Sequence, residues 1–112
     1  MNSVDELIRT VHDITSRYGL IIQYLDFTEI TLFSRFGLSQ DVYIELYANI
    51  KKHKINLSLI ISGSRVFGID KEGGFYHAHP FENPLAHVRC EPIGIEDFVI
   101  QSIGYLKTLH LL

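Results

Sequence analysis

Hydrophobic and polar positions alternate along this chain with two different periods, helical at the ends and strand-like between them. Val4, Leu7, Ile8, Val11 and Ile14 recur every three or four residues, which puts them on one stripe of a helix. Ser3 precedes Glu6 by three positions, the spacing of a capping box, and Asp5 and Glu6 suit the positive end of the helix dipole. Arg17 stands near the opposite end, and Gly19 can take the left-handed conformation that closes a helix. His12 reads as a surface residue of this helix.

From Leu20 onward the period shortens to two. Residues 20–24 and 30–36 read as strands with a break at Asp26. Ile30, Leu32 and Phe36 alternate with Glu29, Thr31 and Arg35, while Phe33 and Ser34 blur the pattern. The clearest pair follows. Val42, Ile44, Leu46, Ala48 and Ile50 share one face, with Tyr43, Glu45, Tyr47 and Asn49 on the other. After the basic tip Lys51-Lys52-His53-Lys54, the residues Ile55, Leu57, Leu59 and Ile61 resume the alternation, as expected for an antiparallel hairpin buried on one side. A further strand spans 65–69, and Asp70-Lys71-Glu72-Gly73-Gly74 reads as a hairpin loop. The return strand 75–79 ends at Pro80, which cannot donate to a ladder. Ile95, Phe98, Val99, Ile103 and Leu106 restore the helical stripe, with Glu96 and Asp97 in its first turn.

These elements predict one α+β domain over residues 1–112: an antiparallel meander sheet of about six strands, with the N-terminal and C-terminal helices packed on one face. The turns are too short for crossover helices, which excludes a parallel sheet. Ile100, Tyr105, Leu109, Leu111 and Leu112 add apolar surface outside the stripe of the last helix, an argument for a homodimer or a protein partner.

Composition narrows the function classes. Ten Lys/Arg against thirteen Asp/Glu give a net charge of −3, without the basic excess of a duplex-DNA-binding domain. A small RNA-processing pocket needs only a few local cations and stays open. One cysteine permits no intrachain disulfide and points to a reducing compartment. The first residues lack the basic and apolar regions of a signal peptide, and no apolar run is long enough to span a bilayer. A cytoplasmic protein with no membrane association is the expectation.

Chemistry concentrates in His77-Ala78-His79-Pro80, followed by His87 and Cys90. His77 and His79 are two apart on a strand, so both project from the same face. Three readings fit. Three N/S ligands and a water would suit zinc, but no carboxylate stands beside the pair in the sequence, so neither a metal nor a cofactor is assigned. Alternatively, His77 and His79, with His87 in support, can serve as general base and general acid in metal-independent cleavage of RNA at a ribose 2′-hydroxyl. Arg65, Arg89 or Lys71 would then stabilise the developing phosphorane charge, and Phe75 and Tyr76 would stack on a base. On the plainest reading the histidines are a polar strand end, and Cys90 is a small buried hydrophobe. The face taken by the histidines is open: Phe75 shares it, whereas Tyr76 and Ala78 share the other. His77, His79, His87 and Arg65 are the candidate site residues.

The strand pair over 55–69, the glycine turn before Phe75-Tyr76, the run His77-Ala78-His79-Pro80, His87 and the acidic helix start after Pro92 resemble the small prokaryotic toxins similar to TumE. Where the family run continues with histidines, this chain has Phe81-Glu82-Asn83. The resemblance covers roughly the C-terminal two thirds. It implies a toxin-like cytosolic protein of a toxin–antitoxin module, acting on RNA, with an antitoxin protein as partner. The alternative is a non-enzymatic interaction module that dimerises through its last helix.

Overall fold

A computed structural model describes residues 3–112. Helix α1 (Val4–Tyr18) begins as its sequence signals: the Ser3 Oγ accepts from the Glu6 backbone N–H at 3.1 Å. Gly19 closes it at φ 68°, where a Cβ would be strained. Seven strands follow in a continuous antiparallel meander: β1 (Ile21–Phe27), β2 (Thr31–Gly37), β3 (Val42–Asn49), β4 (Lys54–Ile61), β5 (Ser64–Glu72), β6 (Phe75–His79) and β7 (Val88–Cys90). Helix α2 (Ile95–Thr108) ends the fold. No helix among the described residues is long and apolar enough to cross a membrane.

One face of the sheet carries the core. Leu32, Phe36, Ile44, Leu46, Leu57, Leu59, Phe67 and Ile69 are buried together with Leu7, Val11 and Ile14 of α1 and Phe98, Val99 and Leu106 of α2. Both helices therefore lie on the same face, and the α+β meander expected from the sequence is the observed architecture. Aromatic contacts hold the second helix down. Phe67 of β5 stacks on Phe98 at a centroid distance of 4.8 Å and meets Tyr105 edge-on at 4.9 Å. Phe81 stacks on Tyr105 with ring centroids 4.3 Å apart.

The structure refines the sequence reading at several points, among them Asp26, expected to break the strand and found within β1. The sheet has seven strands, because the three residues of β7 pair with β6 in a stretch too short to show a period. Ile30 lies in the β1–β2 turn, and the core face of β2 is Leu32, Ser34 and Phe36. Ser34 is tolerated there because its hydroxyl donates to the Tyr24 carbonyl at 2.9 Å, beside a bulge in β1. Most consequentially, β5 runs to Glu72, so Asp70 and Lys71 are strand residues and the turn is Gly73-Gly74 alone. Both glycines have positive φ, 59° and 88°, as a two-residue type I′ hairpin requires.

The helices are tied to each other at the surface. The Arg17 guanidinium donates to both Glu96 oxygens at 2.7 and 2.9 Å and also to Asp13, and the Tyr18 hydroxyl donates to Glu96 at 2.7 Å. The Arg17 and Tyr18 bonds lower the Glu96 carboxyl from its ordinary 4.5 to about 2. A depressed carboxyl contributes stability that is complete above the unfolded value and is lost as pH falls through the folded one. Glu96→Gln is expected to be slightly less stable than the parent at neutral pH, since solvent screens this half-exposed network. The gap should close as pH falls from about 4.5 to about 2. Chemical unfolding at stepped pH checks this, and a gap that persists below that window would refute it.

Candidate active site on the open sheet face

The register of β5 and β6 decides which side chains meet. Asp70 pairs with His77 and Gly68 with His79, while Arg89 of β7 pairs with His77 on the far side. Paired residues share a face, so Arg65, Gly68, Asp70, His77, His79 and Arg89 all project from the side opposite the helices. A bulge between Leu59 and Ile60 in the β4–β5 pairing keeps Arg65 on that side. The question of the histidine face is thereby answered: Phe75 shares it, and Tyr76 and Ala78 turn toward the core.

His87 arrives from a loop made of two successive turns, Pro80 to Asn83 and Asn83 to Ala86, each closed by a backbone hydrogen bond of 3.0–3.1 Å. Its ring lies against both strand histidines, with centroids 4.4 Å from His77 and 4.9 Å from His79. The three imidazoles sit in an open cleft lined also by Lys54, Asn56, Arg65, Asp70, Glu72 and Phe75. His77, His79, His87 and Arg65 are thus brought together.

Each histidine has a different environment. The His79 Nδ1 lies 3.1 Å from the Pro84 carbonyl oxygen and Nε2 lies 3.2 Å from Asp70 Oδ2. Both partners only accept, so a neutral ring satisfies one of the two contacts and a doubly protonated ring both. Asp70 is held in turn by Arg65, whose Nη2 donates to Oδ1 at 2.8 Å and Nη1 to Oδ2 at 3.3 Å. Nη2 also donates to the Leu57 carbonyl at 3.1 Å. His77 and His87 make no side-chain hydrogen bond among the described residues, leaving their ring nitrogens free for a ligand. One ligand atom each from Asp70, His79 and His87 can be chosen so that all three lie within 4.8 Å of one another.

Several sequence candidates fall outside. Cys90 pairs with Tyr76 and so faces the core side, where burial, assisted by Glu91, pushes its thiol up. It cannot join the histidines. Lys71 also faces away, with its ammonium 5.7 Å from the Tyr76 ring. Tyr76 is therefore no stacking platform for this cleft. Arg89 is on the correct face and covers the Phe75 ring at 4.8 Å. Asp70, placed in a loop by the sequence reading, is the site residue that was missed. Its signal lay in the Gly-Gly dipeptide, which fixes a two-residue turn and hence Asp70 opposite His77.

Gly68 makes room for this arrangement, because a Cβ there would overlap the Arg65 guanidinium. Gly68→Ala is expected to push Arg65 off Asp70 and Leu57 and to cost about 1–3 kcal/mol, the penalty of a poorly satisfied buried polar group. A urea-unfolding double-mutant cycle with Arg65→Ala reads the coupling. If the two substitutions add independently, the packing of Arg65 over Gly68 does not contribute.

Comparison of the chain with protein-family models, with curated proteins and with solved structures finds no match in any of the three. The chemistry of the cleft is accordingly read from its own residues.

Proposed function

We propose that this is a toxin-like protein of a prokaryotic toxin–antitoxin module that cleaves RNA in the histidine cleft, with an antitoxin protein as its partner. The observation that carries the reading is the convergence of three imidazoles in one open cleft, two of them with unengaged ring nitrogens. Because both His79 nitrogens are engaged, His77 and His87 act as the acid–base pair in this mechanism, in place of the His77 and His79 pair expected from the sequence. One removes the proton of a ribose 2′-hydroxyl, whose oxygen attacks the adjacent phosphorus. The other protonates the departing 5′-oxygen, leaving a 2′,3′-cyclic phosphate and a free 5′-hydroxyl. Lys54 supplies a donor toward the phosphate, and His79, held by Asp70 and Pro84, orders the wall of the cleft. Phase-matched stacking of a base falls to Phe75, half exposed at the rim and covered on one side by Arg89.

The purified protein should cut single-stranded RNA, and an RNA with a 2′-deoxy sugar at the cleaved position should be inert. His77→Ala/His79→Ala and His87→Ala should each lower the rate by about 100-fold or more, the usual contribution of a positioned acid or base. Equal cleavage by parent and variants, or none by any of them, would sink the enzymatic reading.

A second reading is a non-enzymatic module that dimerises through the last helix and the residues after it. Ile100, Leu109, Leu111 and Leu112 are all exposed there, between 42 and 53%. On this reading the intact chain scatters light as a dimer and the chain shortened before Leu109 as a monomer. A monomer mass for both forms defeats it.

A further inference from the structure

We infer that Asp70, His79 and His87 form a binding site for a divalent first-row transition-metal ion, of which zinc is the natural probe. The inference goes beyond the RNA-cleavage reading and does not need it.

The argument begins with one hydrogen bond. Pro84 O and Asp70 Oδ2 both only accept, so a neutral His79 that donates from Nδ1 to Pro84 turns its Nε2 lone pair toward Asp70 Oδ2, 3.2 Å away. In that tautomer two lone pairs face each other, and a cation between them makes the arrangement favourable. A second proton on the ring is one such cation. A metal ion is the other, and the spacing suits it: bonds of about 2.0–2.1 Å in a tetrahedral site put neighbouring ligand atoms about 3.3–3.4 Å apart.

The surroundings match what a ligand set needs. A metal-bound imidazole characteristically donates its remaining N–H to a carbonyl or carboxylate, and a metal-bound carboxylate is itself hydrogen-bonded. His79 has its carbonyl in Pro84, and Asp70 has its donors in Arg65. The third ligand is His87, whose nitrogen lies within 4.8 Å of the other two ligand atoms. His87 is exposed and sits on a loop, so a small closing movement of one side chain contracts the triangle to bonding distance. Two imidazoles and one carboxylate suit zinc, cobalt, nickel or iron better than the hard cations magnesium and calcium, which take oxygen ligands. The three ligands line the open cleft together with His77, so a fourth position would be accessible to an exchangeable water.

The test is titration of the intact, metal-stripped chain with Co2+ and with Zn2+, in the absence of RNA. Cobalt should bind one ion per chain with the visible absorption of a tetrahedral N/O site, and zinc should displace it. His79→Gln, His87→Gln and Asp70→Asn should each weaken zinc by about 100-fold or more, at least the upper end of the loss seen when outer-shell partners are changed. Because His87 is exposed, its variant keeps the fold and serves where a strand substitution disturbs it. Cys90→Ser and His53→Gln should bind as the parent does. The inference is overturned if the parent binds no stoichiometric ion, if the three site variants bind like the parent, or if Cys90→Ser abolishes binding. RNA is absent throughout, so a failed cleavage assay and a failed metal titration are separate results.

Discussion

The two-residue turn Gly73-Gly74 sets the register on which the whole cleft depends. Side chains of a strand alternate between faces with a period of two, so a slip by one residue would exchange every inward and outward position. With Glu72 opposite Phe75, the outward set is Gly68, Asp70, His77 and His79 and the inward set is Ile69, Tyr76 and Ala78. A slip would bury two imidazoles against the core and expose their apolar neighbours. The penalty for that exchange is what keeps the polar cluster together. Positive φ at both turn residues makes glycine the fitting residue twice in succession, and it leaves no spare residue to absorb a different pairing.

Within that frame the chain Arg65–Asp70–His79–Pro84 orders the cleft. These groups are partly buried, with side-chain exposures of 29, 22 and 19% for Arg65, Asp70 and His79. Removing charges from water is costly, and a pair at this depth persists through geometry and additional hydrogen bonds rather than through attraction alone. Arg65 supplies both: a forked contact with the carboxylate, and a further bond to the Leu57 carbonyl on the neighbouring strand. Gly68 gives the guanidinium a flat place to lie. The outcome is one pinned imidazole beside two unpinned ones, and so three histidines with different chemical prospects.

Much of the architecture was legible because the hydrophobic periods are clean. The capped first helix, the hairpin over 42–61 and the closing helix follow from spacing alone, and their core residues are those expected. The failures are local and have physical causes. Ser34 broke the alternation of β2 because a buried hydroxyl bonded to Tyr24 looks polar in a sequence. β7 is three residues long and announces itself only through pairing with β6. Asp70 was assigned to a loop because Asp, Lys, Glu and two glycines have the composition of one, although the turn needs only the glycines. For the cleft, the three histidines and Arg65 were singled out from their types and spacing. The carboxylate was not, since its nearness to His77 is a cross-strand relation that spacing along the chain does not express. Cys90 was grouped with the histidines by proximity in sequence, and strand parity separates it.

Nature of the cation beside His79 is where the two chemical readings of this cleft divide. With Nδ1 donating to the Pro84 carbonyl and Arg65 donating to the Asp70 carboxylate, the space between Nε2 and Oδ2 would hold either a proton or a metal ion. A proton there makes His79 an imidazolium, which donates but cannot act as a base, and leaves proton transfer to His77 and His87. A metal ion there recruits His87 as well, and His77 remains as the one free imidazole beside the open coordination position. A site built this way is expected to be sensitive to metal availability whichever chemistry it performs, because the groups that would bind the ion are the groups that would otherwise move protons.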